Sequence, residues 1–187
     1  MPTQLELAYW GGEVTDLTEN KWLNLREMKV PRIGINGYVF SHEVRCRGKI
    51  VAVLPFRRYP DGSVEVLLRT EIVPPWSLSP QPCAVTGGCD HEGEAPIAVG
   101  LRELKEEAGY SLNRLMGLGT CRGTKSTDTT YYLFAADVSG VVPGKAEGDG
   151  SALEASGGTK WSTQPEGCND PLVGIMYARL LRMLNII

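Results

Sequence analysis

Residues 87–110 read GGCDHEGEAPIAVGLRELKEEAGY. Pro96 suits the first turn of a helix, no breaker except Gly100 follows it, and Gly109 stands where a left-handed C-terminal cap belongs. The stretch from Glu94 to Gly109 is therefore expected to be helical. At about 100° per residue, Glu103, Glu106 and Glu107 fall on one side, because residues three and four apart are neighbours on a helix surface. Ala98, Leu101, Leu104 and Ala108 are expected to face a sheet. Like charges at this spacing repel one another, so the crowding needs a reason.

Three carboxylates on one stripe, with Arg102 and Lys105 the only cations within it, raise one another's proton affinity unless positive charge arrives. A divalent cation meets that need. Oxygen ligands without nearby histidine or thiolate favour magnesium or manganese over zinc, and magnesium leaves coordination positions for substrate phosphates and water. The combination suits metal-assisted attack on a phosphoanhydride. The competing reading, a solvated charged face, requires no particular residue at Gly88, Glu94 or Gly109.

Upstream, INGYVF, KIVAVLPF and VEVLLR carry the branched and aromatic residues of strands, and YPDGS between the last two predicts a hairpin turn. EIVPPWSLSPQP, with Pro74, Pro75, Pro80 and Pro82, predicts an extended loop and excludes a central strand. Downstream, LMGLGTCRG and TTYYLFAADV read as strands. PGKAEGDGSALEASGGTK reads as a mobile surface loop, and KWSTQ as a short last strand. DPLVGIMYARLLRMLNII predicts a closing amphipathic helix with Asp170 as N-cap and Pro171 at its first position. The first thirty residues show no strong period. Strands, a charged helix, more strands and a final helix predict a mixed sheet flanked by helices, of α/β or α+β class.

A chain of 187 residues, 42% of them hydrophobic, with a formal charge of -3, is expected to form one compact domain spanning residues 1–187. No apolar run approaches the roughly 18 residues of a membrane helix, and the opening MPTQLELAYWGGE lacks a signal-peptide pattern, so a cytoplasmic location is expected. Cys46, Cys83, Cys89, Cys121 and Cys168 form no CxxC pair, and with only His42 and His91 to complete a site, structural reduced thiols are expected rather than zinc ligands. The mildly acidic chain has no concentrated basic face, which argues against nucleic acid as a partner.

Gly88, five residues, Glu94, seven residues and then RELKEEAGY resemble the Nudix box, G-x5-E-x7-R-E-U-x-E-E-x-G-U, with U a bulky aliphatic residue. Tyr110 at the last position is an aromatic departure. The resemblance implies an α/β/α sandwich around a mixed sheet, and Mg²⁺- or Mn²⁺-dependent cleavage of nucleoside diphosphates linked to another group. It also implies that Glu103, Glu107 and the backbone carbonyl of Gly87 are metal ligands, with Glu106 a ligand or the base that activates water. Arg102 would orient the glutamates through ion pairs, and Glu94 would brace the junction of loop and helix.

Outside the box, the N-terminal strands and the proline-rich approach to TGG look like the ADP-ribose and nucleotide-sugar pyrophosphatase branch. That likeness implies a homodimer in which residues 1–45 form a dimerisation or strand extension. The branch usually carries a proline about fifteen residues past the box, where this chain has GTKSTDTT, and the tail of the NADH-cleaving branch is absent. Substrate contacts are expected from Arg69, Trp76 and Tyr131, ahead of Arg57, Arg58 and Trp161, since a base needs a flat apolar partner and a diphosphate needs donors. Glu147 or Glu154 of the Gly-rich loop is expected to complete the metal set or act as base. Two other readings stay open: a dinucleoside polyphosphate or nucleoside triphosphate hydrolase, and a nucleotide-sensing module without turnover.

Overall fold

The computed structural model describes residues 3–147 and 157–187. Its contacts divide the chain into two compact units, one of Met1–Ile50, Gly88–Gly93 and Thr120–Tyr131, the other of Val51–Gly87, Glu94–Gly119 and Tyr132–Ile187. Among the described residues no helix is long and apolar enough to cross a membrane.

The first unit opens with α1 (Gln4–Trp10), whose N-terminus is closed by a reciprocal capping box between Thr3 and Glu6 and whose C-terminus ends on left-handed Gly11. Strands β1 (Glu13–Asp16), β2 (Leu23–Val30) and β3 (Ile35–Glu43) follow as an antiparallel meander in that order. The second and third are joined through a single 3-10 turn at Pro31–Ile33. This sheet is where the aperiodic opening of the sequence goes: β2 has only Asn24 and Val30 buried, so no clean alternation marks it. His42 on β3 is buried against Asp128, with Nδ1 2.9 Å from Oδ2, a hydrogen-bonding role and not a solvent-facing one.

The second unit is built on a seven-stranded sheet. Its strands are β4 (Lys49–Arg58), β5 (Val64–Ile72), β6 (Pro80–Cys83), β7 (Val85–Gly88), β8 (Met116–Arg122), β9 (Thr130–Asp137) and β10 (Gly158–Ser162). The main order is β10-β5-β4-β9-β8, with β6 added to β5 and β7 to β4. The β4–β5 hairpin pairs Phe56 with Val66 and Arg58 with Val64 around the YPDGS turn, where Gly62 takes φ 85°. Val51, Ala52, Val53, Leu54 and Phe56 of β4 are all fully buried. Successive side chains of a strand point to opposite faces, so both faces are covered there. Helix α2 (Pro96–Ala108) covers one of them, since the α-carbon of Gly100 lies against Val51 and Val53.

Three sequence expectations change in detail. The proline-rich stretch is not loop throughout, because Pro80–Cys83 pairs antiparallel with β5, Pro82 opposite Thr70 and Cys83 opposite Arg69. The ladder tolerates this because the prolines alternate with Gln81 and Cys83, which puts the missing N–H groups on the outer edge. On that edge the Pro82 carbonyl accepts from the Cys168 thiol. The buried stripe of α2 is Val99, Gly100, Glu103, Leu104 and Ala108, while Ala98 is exposed and Leu101 half-buried. The third concerns the Gly-rich stretch: Gly158–Ser162 belongs to β10, paired with β5, and its residues 148–156, Glu154 included, lie outside the described residues.

The closing helix α3 (Pro171–Met183) buries Val173, Met176 and Leu180 and starts as expected on Asp170 and Pro171. Asp170 does more than cap. It is 4% exposed. Oδ1 accepts from Leu172 N at 2.9 Å, and Oδ2 accepts from Ala84 N, also at 2.9 Å, tying the helix start to the chain just before β7. Asp170→Ala removes a cap and leaves a buried amide unpaired, so a loss of about 2–4 kcal/mol in unfolding free energy is expected from urea denaturation. A loss below about 0.5 kcal/mol would mean the buried bond to Ala84 contributes nothing.

Candidate active site

Strand β7 brings the chain to Gly87, and the helix after it carries five of the box residues, Arg102, Glu103, Leu104, Glu106 and Glu107. Pro96 occupies the first helical position behind Ala95, and Gly109 closes the C-terminus at φ 75°. Glu94 lies just before the helix, not within it.

Most of these carboxylates are shielded from open water, Glu106 least, with its side chain 39% exposed. Arg102 sits among three of them: Nη1 is 2.8 Å from Glu103 Oε1 and 3.4 Å from Glu106 Oε2, and Nε is 3.8 Å from Glu94 Oε1. A second guanidinium, that of Arg69 on β5, holds the other side. Its Nε is 3.5 Å from Glu71 Oε2 and 3.7 Å from Glu107 Oε2, and Nη1 donates to the Glu107 backbone carbonyl at 3.4 Å. Among the described residues five carboxylates (Glu71, Glu94, Glu103, Glu106 and Glu107) thus lie about these two guanidiniums, five formal negative charges to two positive.

Gly87 is required by contact. The side chain of Glu103 lies directly against its α-carbon, in the space a Cβ would need. Glu103 is 9% exposed, so this carboxylate is buried between the β7 backbone and Arg102. One oxygen of Glu94, Oε2, is buried and accepts no hydrogen bond from the described residues. Among the described residues no three acidic, histidine or cysteine groups converge to the spacing of a preformed cation site, because the carboxylates turn to Arg102 and Arg69. The donor set is nevertheless of the right kind for a hard cation. It has carboxylate oxygens in excess of guanidinium charge, a glycine backbone accessible beside one of them, and a buried oxygen with acceptor capacity to spare.

This architecture has solved counterparts. A crystal structure described as an ADP compounds hydrolase superposes with a TM-score of 0.65 over 92% of this chain and 92% of its own, at 16% sequence identity. A Nudix hydrolase from M. Smegmatis, RenU, superposes with a TM-score of 0.51 over 74% of this chain and 87% of its own, at 19% identity. The chain has the Nudix fold. No family model matches the sequence, and a comparison with curated proteins gives no match.

On this Nudix fold the remaining expected residues take different places. Glu147 comes to the carboxylate helix through its backbone, whose amide donates to Glu106 O at 2.9 Å. Trp76 is 50% exposed on the loop after β5, and Tyr131 falls in the other compact unit, half-buried. Arg69, expected at the substrate for its place at a strand end, is only 5% exposed and is engaged by Glu71 and Glu107. Arg57 and Trp161 satisfy each other, the guanidinium 4.2 Å over the ring and 2.6 Å from Glu65. Sequence reasoning missed Glu71, whose alternation with Arg69 on β5 (i, i+2, the same face of a strand) is the signal that could have found it.

Cys83, paired with Arg69 across the ladder, lies beneath this network, its thiol 3.6 Å from Glu71 Oε1 and from the Arg69 carbonyl. Burial, reinforced by the carboxylates of Glu71 and Asp170, pushes this thiol far above its ordinary range. Thiolate is the reactive form. In the native protein at pH 8, Cys83 and the buried Cys46 and Cys89 are therefore expected to stay unmodified by maleimide while the urea-denatured chain labels at all five cysteines, read by peptide mass spectrometry. Rapid native labelling at Cys83 contradicts the assignment.

Proposed function

We propose that the protein is a magnesium-dependent pyrophosphohydrolase that cleaves a nucleoside diphosphate linked to another moiety, such as ADP-ribose or a nucleotide sugar. The observation that carries the reading is the box helix itself: Glu103, Glu106 and Glu107 on α2, with Arg102 bridging Glu94, Glu103 and Glu106. The ADP compounds hydrolase with the same architecture supports the substrate class.

In this reading Glu103, Glu106, Glu107 and the Gly87 carbonyl would hold Mg²⁺, or Mn²⁺ in its place. When bound, the cation supplies charge neutralisation at the diphosphate and lowers the pKa of an attacking water. Arg102 keeps Glu103 and Glu106 oriented, and Arg69 positions Glu107 from behind, a role its burial favours over direct contact with substrate. Glu106, the most exposed of the three pairs made by Arg102, and Glu147 of the following loop are the proposed acceptors of the water proton. Trp76 or, in the other compact unit, Tyr131 would offer a flat face for the base. Water attack on the anhydride gives two phosphate monoesters, AMP and ribose 5-phosphate if ADP-ribose is the substrate.

A panel of ADP-ribose, nucleotide sugars, dinucleoside polyphosphates and nucleoside triphosphates with Mg²⁺, analysed for products, tests the proposal. ADP-linked compounds are expected to be cleaved best. Glu106→Gln combined with Glu107→Gln is expected to lower kcat/KM by at least about 10²–10⁴-fold. A parent protein that binds a nucleotide tightly yet releases no product, with the double variant binding as well as the parent, establishes a sensor and overturns the enzyme.

The proposal extends to a cytoplasmic homodimer assembled through residues 1–45. Leu5 is 81% and Tyr9 70% exposed, and Leu17, Trp22, Leu25 and Val39 are also solvent-facing in this small sheet and helix. Such a concentration of exposed apolar side chains marks an interaction surface. Sedimentation velocity is expected to give a dimer that Leu25→Glu with Val39→Glu converts to monomer; a monomeric parent at about 50 μM, well above nanomolar-to-micromolar Kd values of stable dimers, removes this part of the proposal.

A further inference from the structure

A helix ends with carbonyls that have no partner inside it, and at α2 their destinations can be followed one by one. Tyr110 N donates to Leu104 O, and Gly109 N donates to Lys105 O, the Schellman arrangement that a left-handed glycine permits. The next carbonyl, of Glu106, accepts from the backbone amide of Glu147 at 2.9 Å, and that of Glu107 accepts from Arg69. Just past the helix, Gly109 O accepts from Gly144 N at 2.8 Å. Residues 144 and 147 are thus laced to residues 109 and 106, three residues apart on each side and running in opposite directions.

The two glycines are not equivalent. A Cβ on Gly109 would run into the Gly144 carbonyl, and φ 75° at Gly109 strains any other residue. At Gly144 a Cβ would meet only Gly109 O, at an ordinary 3.6 Å, and this residue is absent from the positive-φ glycines. Gly109 therefore admits the close approach, while Gly144 contributes its amide.

The lacing works against an unfavourable field. It brings the Glu147 backbone to the C-terminal, partially negative end of α2, where the helix field by itself disfavours an acidic residue. Two backbone hydrogen bonds oppose that tendency.

We infer that Gly109 and Gly144 form a main-chain clasp that positions Glu147 at the carboxylate helix, so that turnover depends on the amides of residues 144 and 147 as well as on the Glu147 carboxylate. The inference rests on the function proposed above. Gly144 is a positioning residue in this scheme, acting through Glu147.

The test uses the full chain with Mg²⁺ and the best substrate of the panel. Hydrogen exchange of the Glu147 amide, steady-state kinetics and thermal melting are compared for the parent, Gly144→Pro, Gly144→Ala and Glu147→Ala. The expected result is a protected Glu147 amide in the parent, its protection lost in Gly144→Pro together with a roughly 10–100-fold fall in kcat at little-changed KM and melting temperature. Gly144→Ala, which keeps the donor, restores both, and Glu147→Ala loses turnover while its amide stays protected. Undiminished kcat in Gly144→Pro, or free-peptide exchange at Glu147 in the parent, overturns the clasp, and the second result decides even if Gly144→Pro does not fold. A parent without turnover on any substrate overturns the proposed function instead, and with it the clasp's catalytic role, whereas exchange at Glu147 reports the clasp by itself.

Discussion

Mutual repulsion among carboxylates on one helical face is the constraint around which this site is arranged. Glu103, Glu106 and Glu107 cannot share a stripe of α2 at no cost, and the protein relieves it from two directions. Arg102, on the same helix, reaches Glu94, Glu103 and Glu106, while Arg69 approaches Glu107 from β5. Among the described residues the relief is incomplete, since two guanidiniums face five acids once Glu71 is included. A surplus of negative charge at a buried location is what a divalent cation would answer, and it is the physical basis of the proposed chemistry.

Rigidity around that surplus comes from backbone groups more than from side chains. Gly87 lets Glu103 lie on the β7 strand with nothing between, and Gly100 lets α2 sit close on Val51 and Val53. At the other end of the helix, Gly109 admits Gly144. Each is a place where a side chain would force the helix off its neighbours. The carboxylates are consequently held by an element packed at both ends, which is how a site of like charges keeps its geometry before any ligand binds.

Arg69 illustrates how burial changes a residue's role. Seen along the chain it is a cation at a strand end, next to a proline-rich loop, in a position to meet phosphate. In the folded sheet it lies between Glu71 and Glu107, with its carbonyl 3.6 Å from the Cys83 thiol and almost no surface of its own. A buried guanidinium beside carboxylate partners is costly to withdraw, because leaving would strand the acids in a poorly solvated place.

The box helix, its cap at Gly109, the hairpin at YPDGS, and the closing helix on Asp170 and Pro171 could all be read from the chain, because each depends on local rules of period, capping and turn chemistry. The spacing from Gly88 to Tyr110 likewise carried the likeness to the Nudix box, since one helix sets the relative places of its own residues. Contacts between distant segments were beyond that reach. Pro80–Cys83 became an edge strand only because β5 was there to pair with it, and β1 and β2 had too weak a burial pattern to announce themselves. The positioning of Glu107 by Arg69, the second bond of Asp170 to Ala84, and the docking of Gly144 and Glu147 on α2 join residues 38, 86, 35 and 41 positions apart. No local propensity encodes such pairs; they exist because packing brings together backbone and charged groups that burial obliges to find partners.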